Sequence, residues 1–220
     1  MATNDGMRII KYEHATVRIE QGGYVVVIDP GIATRAASVE RATAILITHA
    51  HDDHWSLDLL RATDAPIYTI AEVAAQWAHD GDLTSRTTVV HPGERFEVGL
   101  AVTAVGERHA TIHPSWPTGD NTGYLVEGER RLFHPGDALT LPGAPIDVLC
   151  LPISGPWSSL GEVIDYAQRV DASVNLAVHE MLSSAPGLSA TDYGIRRALG
   201  AHRYARLDDA TELRMPRAVR

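Results

Sequence analysis

Residues Ile47 to Ser56 read ITHAHDDHWS, and within them His49, His51, Asp52, Asp53 and His54 place three imidazoles and two carboxylates in six consecutive positions. Imidazole and carboxylate together are the ligand set of zinc, manganese or iron. In an irregular loop His49 and His51, two apart, can turn their rings toward one point while Asp53 and His54 turn toward a second nearby. That spacing suits two metals better than one. A catalytic metal also needs ligands from elsewhere in the chain and an open position for water. Three candidates stand where other strands are expected to end: His109 after AVTAVGER, Asp137 after RRLFHPG and His179 after SVNLAV. Side chains contributed from several strand ends converge along one edge of a sheet, where α/β proteins commonly bind their ligands.

The elements that must carry these residues are legible in the hydrophobic pattern. MRIIKYEH and ATVRIEQGGYVVVIDPG alternate as strands, with Gly22-Gly23 supplying a tight hairpin turn, so the chain opens with a β-meander. Ala42 to Thr48 (ATAILIT) is the continuous apolar run of a strand covered on both faces, and the histidine motif begins where it stops. PIYTI, TTVVH, AVTAV, GYLVEG, RRLFH, IDVLCL and SVNLAVH read as further strands. Thr69 with Glu72, and Ser159 with Glu162, have the spacing of capping boxes that open amphipathic helices, and GIRRALGAH reads as a last helix. The opening meander and the middle of the chain look antiparallel. The expectation is a mixed α/β sandwich with helices outside rather than a simple doubly wound sheet, and two halves of strands followed by helices fit it.

Composition bounds the function classes. The chain has 220 residues, 45% of them hydrophobic and 21% charged, which predicts one folded domain over residues 1–220. Its net charge of -9, without a basic cluster, argues against a nucleic-acid partner. Lys11 is the only lysine. No stretch approaches the length of a membrane span, and the N-terminus lacks a basic start followed by an apolar core, so a cytoplasmic location is expected. The single cysteine, Cys150, lies in an apolar run and reads as a buried small hydrophobe, excluding a disulfide framework or a cysteine-rich metal site.

The motif His49-x-His51-x-Asp53-His54, followed in order by an isolated histidine, the Gly136-Asp137 pair and a late histidine closing a strand, resembles the metallo-β-lactamase-fold metallohydrolases. The resemblance runs from the opening meander, with Asp29 in IDPG, to His179. It implies a four-layer αβ/βα sandwich with a dinuclear site at one edge of two sheets. Carried over, it places His49, His51 and His109 on one metal and Asp53, His54 and His179 on the other, with Asp137 bridging both. Asp29 would then brace the metal loop by hydrogen bonds, or serve only as a turn residue. Two divalent cations hold and deprotonate a water, so the expected activity is hydrolysis by a metal-bound hydroxide.

The antibiotic-degrading branch of the family takes a cysteine at its second metal and lacks the histidine after the aspartate. Here Asp137 and His54 stand instead, which argues against a lactamase. Nor does the chain show the protruding arm and basic surface of the transfer-RNA-processing branch. TVRIEQGGYVVVIDPG and RRLFHPGDAL are most similar to the small bacterial branch that includes L-ascorbate-6-phosphate lactonase. The resemblance implies a small-molecule substrate, a lactone or a phosphate-bearing ester, with a nucleotide or lipid phosphodiesterase as the alternative. Zinc is the first choice of metal, with manganese and iron as competitors. Rival classes are a non-catalytic metal-binding protein and a two-iron oxidoreductase; association into a homo-oligomer is left open.

Other residues admit two readings each. His14, in the first hairpin, is either a substrate contact or a packing residue. His113, in HATIHPSWPTGDN, would donate a proton to the leaving group or bind a substrate anion, against the plainer reading of a loop histidine bonded locally. His134 stands near Asp137 and would support it, whereas His79, His91 and His202 carry no chemistry. Trp116 and Trp157 either wall the pocket or pack between loops, and the 110–120 loop is the candidate substrate lid.

Overall fold

A computed structural model describes residues 6–215. The first half of the chain forms β1 (Arg8–Lys11), β2 (Val17–Gln21), β3 (Tyr24–Ile28), β4 (Ala44–Leu46), α1 (Leu57–Arg61), β5 (Ile67–Thr69), α2 (Ala71–Ala74), α3 (Gly81–Ser85) and β6 (Thr87–Val89). The second half forms β7 (Arg95–Glu97), β8 (Ala101–Val105), β9 (Gly123–Glu127), β10 (Arg131–His134), β11 (Val148–Pro152), α4 (Leu160–Val170), β12 (Val174–Val178), α5 (Ala185–Leu199), β13 (Tyr204–Ala205) and β14 (Thr211–Glu212). Two seven-stranded sheets result, ordered β14-β1-β2-β3-β4-β5-β6 and β13-β12-β11-β10-β9-β8-β7. Each begins as an antiparallel meander and continues as parallel strands.

The strand period of two builds the layers. Val26, Ile28, Ala44 and Leu46 face Val102, Tyr124, Val126, Val148 and Cys150 in a core between the sheets. Their neighbours Val25, Val27, Ile45 and Ile47 point the other way and pack on Leu59, Leu60, Val73 and Leu83 of α1, α2 and α3. On the second sheet Phe133, Leu149, Leu151 and Ala177 pack likewise on Val163, Tyr166 and Ile195 of α4 and α5. Three cores separate four layers, helices outside and sheets inside, as expected for the αβ/βα sandwich. Cys150 is fully buried in the central core, where burial pushes its thiol up and keeps it unreactive.

Two helix expectations need correction. Thr69 and Glu72 form no capping box: β5 runs through Thr69, whose hydroxyl donates to the Ile47 carbonyl at 2.9 Å, and Ile70 takes the cap position. Glu72 accepts instead from the Asp120 amide, and the amphipathic stretch after it breaks into α2, a 3-10 turn at Ala75–Trp77 and α3. The last helix starts well before GIRRALGAH, at Ala185, because Ser184 caps it and a proline occupies its first turn. The Ser159 and Glu162 box is present and opens α4.

Strand direction decides where the chemistry collects. β1 and β3 are each antiparallel to β2, and β3 is parallel to β4, so β1, β3 and β4 all end on one edge. In the second sheet β8 and β10 flank β9 antiparallel to both, and β10, β11 and β12 are parallel. The two edges are tied together directly. The His179 amide donates to the His14 carbonyl at 3.1 Å, and the Thr122 amide donates to the Thr48 carbonyl at 2.9 Å. His134 Nε2 lies 2.8 Å from the Ala15 carbonyl, and the Tyr124 hydroxyl donates to the Ile47 carbonyl at 3.0 Å.

Candidate metal centre

The loop after β4 is shaped by Asp29, the residue that follows β3. Asp29 is fully buried and left-handed, with φ 51°. Its carboxylate accepts the Thr48 amide at 2.8 Å, the Thr48 hydroxyl at 2.7 Å and His54 Nδ1–H at 2.7 Å. Because the Thr48 hydroxyl is spent on Asp29, its oxygen is left to accept His49 Nδ1–H, 3.0 Å away. One carboxylate therefore orients two rings of the motif and turns their Nε2 atoms inward, so of the two readings of Asp29 the bracing one is observed.

Gly31 lets the same loop close. A Cβ at this position would overlap the Asp53 carbonyl and carbon and come within 3.0 Å of the His54 amide nitrogen. All of these are backbone atoms, which no rotamer change can relieve. Gly31→Ala is expected to lower stability by about 1–3 kcal/mol and to displace the 52–54 segment, read as a lower urea midpoint and weaker zinc binding by the purified chain.

Two groups of side chains meet at the edge. His49, His51, His109 and Asp137 form one, and His14, Asp53, His54 and His179 form the other; in each, one atom capable of ligation from every residue lies within 4.8 Å of the rest. Asp137 stands between them. Its Oδ1 is 3.2 Å from His54 Nε2, and its Oδ2 is 3.1 Å from His179 Nε2, 3.4 Å from His109 Nε2 and 3.8 Å from His49 Nε2. The outward nitrogens are engaged: His109 Nδ1 sits 2.6 Å from the Ala110 carbonyl and His179 Nδ1 2.6 Å from the Ser154 carbonyl. The inward ones, apart from His49 Nε2, which lies 3.1 Å from His51 Nδ1, are not. His54 Nε2, His109 Nε2, His179 Nε2 and Asp137 Oδ1 are buried without a hydrogen-bond partner. Polar atoms buried together and unpartnered carry a desolvation cost that a bound cation removes, so this donor set fits divalent metal.

The electrostatics agree with that fit. Burial works to raise the Asp137 carboxyl, yet the nearby His54, His109 and His179 rings hold it well below the ordinary carboxylate range. Asp53 is likewise opposed by burial but held at about 2 by the hydrogen bond from His14 and the nearby His54. Burial, then His54, lowers His49 well below its ordinary value, and burial with His109 lowers His51. His54 goes the other way: burial opposes its charge, but Asp137 and Asp29 raise it well above. Both carboxylates are thus ionised and His49 and His51 neutral near pH 7, the forms that ligate cations.

Seven residues singled out in the sequence, His49, His51, Asp53, His54, His109, Asp137 and His179, fall within the two groups. His113 does not: it is exposed, its Nδ1 is 2.8 Å from the Ser115 hydroxyl, and its ring lies beside Trp116, itself 60% exposed. His79, His91 and His202 are exposed and outside both groups. His134 supports the edge, with Nδ1 accepting the Gly136 amide at 3.2 Å. Trp157 does more than pack between loops: it is buried, and its indole N–H donates to Asp137 Oδ2 at 3.1 Å. His14 is the residue sequence reasoning undervalued, since it sits inside the second group, 2% exposed, with Nε2 2.9 Å from Asp53 Oδ2.

A four-layer sandwich with histidines and aspartates gathered at one sheet edge defines a class, and the comparison with known families agrees. Residues 8–179 match the family described as Beta-lactamase superfamily domain, and the chain belongs to that superfamily. It is 34% identical to protein Rv0786c of Mycobacterium tuberculosis over 200 residues, 86% of this chain and 90% of that protein. It is 35% identical to a UPF0173 metal-dependent hydrolase of Flavobacterium johnsoniae over 171 residues, 69% of this chain and 74% of the relative. Among solved structures it resembles Igni18, a metallo hydrolase of Ignicoccus hospitalis, with a TM-score of 0.74 over 94% of this chain and 97% of that one. At 18% identity that likeness speaks to the fold.

Proposed function

We propose that the chain is a single-domain, dinuclear metal-dependent hydrolase whose substrate is a small-molecule lactone or phosphate-bearing ester. The observation that carries the reading is the convergence of unpartnered, buried imidazole nitrogens on the Asp137 carboxylate. His49, His51 and His109 would hold one cation, Asp53, His54 and His179 the other, and Asp137 would serve both. Zinc is the first candidate for this thiolate-free set of imidazoles and carboxylates, with manganese and iron as competitors. When bound, two divalent cations make water nucleophilic near neutral pH and offset the negative charge that develops on the substrate.

The protein's own contribution is orientation. The Ala110 and Ser154 carbonyls, Thr48 Oγ1 and Asp29 fix His109, His179, His49 and His54 with their Nε2 atoms inward. Trp157 holds Asp137 Oδ2, and the Asn121 side-chain oxygen accepts the Asp137 amide at 3.0 Å. The side chains of Asp53 (30% exposed) and His51 open toward solvent, which gives substrate its approach. His113, on the exposed 110–120 loop, would donate a proton to the leaving group or bind a substrate anion. The net charge of -9 supports a small-molecule substrate over a nucleic acid.

Elemental analysis of protein purified without chelator is the test. Two cations per chain are expected, together with hydrolysis of at least one member of a lactone, phosphomonoester and phosphodiester panel that chelation abolishes and zinc or manganese restores. One cation or none, or turnover that survives chelation, would remove the proposal. Turnover of phosphodiesters alone would move the substrate assignment to a phosphodiesterase.

A further inference from the structure

His14 lies inside the second group of candidate ligands, but its two ring nitrogens are both engaged. Nδ1 faces the Met181 amide at 3.4 Å, and an amide N–H can only donate. The ring proton therefore sits on Nε2, which points at Asp53 Oδ2 from 2.9 Å. A neutral imidazole arranged this way has no lone pair left for a cation. His54, His109 and His179 differ, since each keeps an inward nitrogen with no partner. We infer that His14 is not a metal ligand but a positioning residue, which aims the Asp53 carboxylate and anchors His179 for the second cation of the proposed dinuclear centre.

The surrounding contacts show how the positioning works. The Asp53 oxygen that takes the hydrogen bond, Oδ2, is also the one facing the ligating rings, 3.6 Å from His179 Nε2 and 4.0 Å from His54 Nε2. Holding that oxygen selects which face of the carboxylate a cation meets. The His14 backbone does a second job, because its carbonyl accepts the His179 amide. To make both contacts the residue adopts φ 57°, a conformation that side chains other than glycine seldom take.

The turn that carries His14 is clamped at its base by the only lysine in the sequence. Lys11 is 1% exposed, and its Nζ pairs with Glu180 Oε1 at 2.5 Å, approaches Asp209 Oδ1 at 3.5 Å and donates to the Tyr12 carbonyl. Glu180 directly follows His179. Three separate links, Lys11 to Glu180, the His14 carbonyl to the His179 amide and His14 Nδ1 to the Met181 amide, thus join one short turn of the first sheet to one short segment of the second. A buried ion pair of this kind fixes geometry more than it adds stability.

The test is zinc titration of the metal-stripped full chain against a chromogenic chelator, comparing wild type, His14→Ala and His14→Gln. For His14→Ala, one of the two binding steps is expected to weaken by about 10–100-fold while the other stays within about twofold of wild type. Gln carries an amide N–H that can reach Asp53, so His14→Gln is expected to recover at least about tenfold of that loss, again judged against the usual effect of groups behind a ligand. Cobalt-loaded wild type and His14→Gln should share the same visible spectrum, because no ligand has been exchanged. Unchanged zinc binding in His14→Ala would overturn the assignment. Equal losses in both variants with an altered cobalt spectrum would make His14 a ligand and overturn it too. Where His14→Ala does not fold, judged by circular dichroism of the metal-free chain, the Gln variant decides by the same spectrum and by binding within about tenfold of wild type. A wild-type chain that takes up only one cation removes the dinuclear reading itself, a failure distinct from the others.

Discussion

Asp137→Asn is expected to leave the fold intact, to reduce bound metal from two cations per chain to one or none, and to cut hydrolysis by at least about three orders of magnitude, roughly 4 kcal/mol of transition-state stabilisation. Asp137 is the carboxylate within reach of both groups, between His54 and His179 on one side and His49 and His109 on the other. Two divalent cations held in one buried cleft would repel each other strongly, and a carboxylate between them would make double occupancy tolerable. Asn keeps the shape and an oxygen able to accept from the Trp157 indole, so the loss is one of charge rather than packing. Elemental analysis and single-substrate kinetics of the variant beside wild type check both parts. A variant that keeps two cations and wild-type turnover would mean that Asp137 does not bridge.

How much of this was legible in the sequence follows from the range over which each feature acts. The motif His49 to His54 is local, and a strand that ends in ligands betrays itself by the apolar run before it, so the edge carrying His109, Asp137 and His179 was readable once the strands were. The meander, the Ser159 cap and the burial of Cys150 were readable for the same reason. Thr69 and Glu72 misled because a hydroxyl at a strand end and one at a helix start look alike in sequence, and only β5 pairing with β4 and β6 decides between them. The early start of α5 had its signal in SSAP, a serine cap followed by proline, outweighed by the clearer apolar spacing downstream. His14 and Trp157 had no local signal that could decide between a site contact and packing. His14 reaches Asp53 because β1 and β4 end on one edge, and Trp157 reaches Asp137 because β11 lies beside β10; both contacts are products of sheet order.

Asp29→Ala is expected to be the most damaging substitution away from the proposed ligands, costing about 3–5 kcal/mol of stability and at least about tenfold in metal affinity. The carboxylate is fully buried and accepts three hydrogen bonds, from the Thr48 amide, the Thr48 hydroxyl and His54. Truncation strands those donors where no water reaches, and each stranded group costs about 1–3 kcal/mol, the hydroxyl least because it can rotate. The affinity loss has a separate route: without Asp29, neither His54 nor, through Thr48, His49 is held with Nε2 inward, so one ring in each group is freed at once. Asp29→Asn should fall between, since its oxygen can still accept the Thr48 amide while its NH2 confronts His54 Nδ1–H. Urea denaturation of the metal-stripped chain separates the two effects, because the hydrogen bonds exist without cations. If the stripped variant were as stable as stripped wild type, the buried network would not be a scaffold, and any loss of metal in Asp29→Ala would have to arise from the removed charge alone.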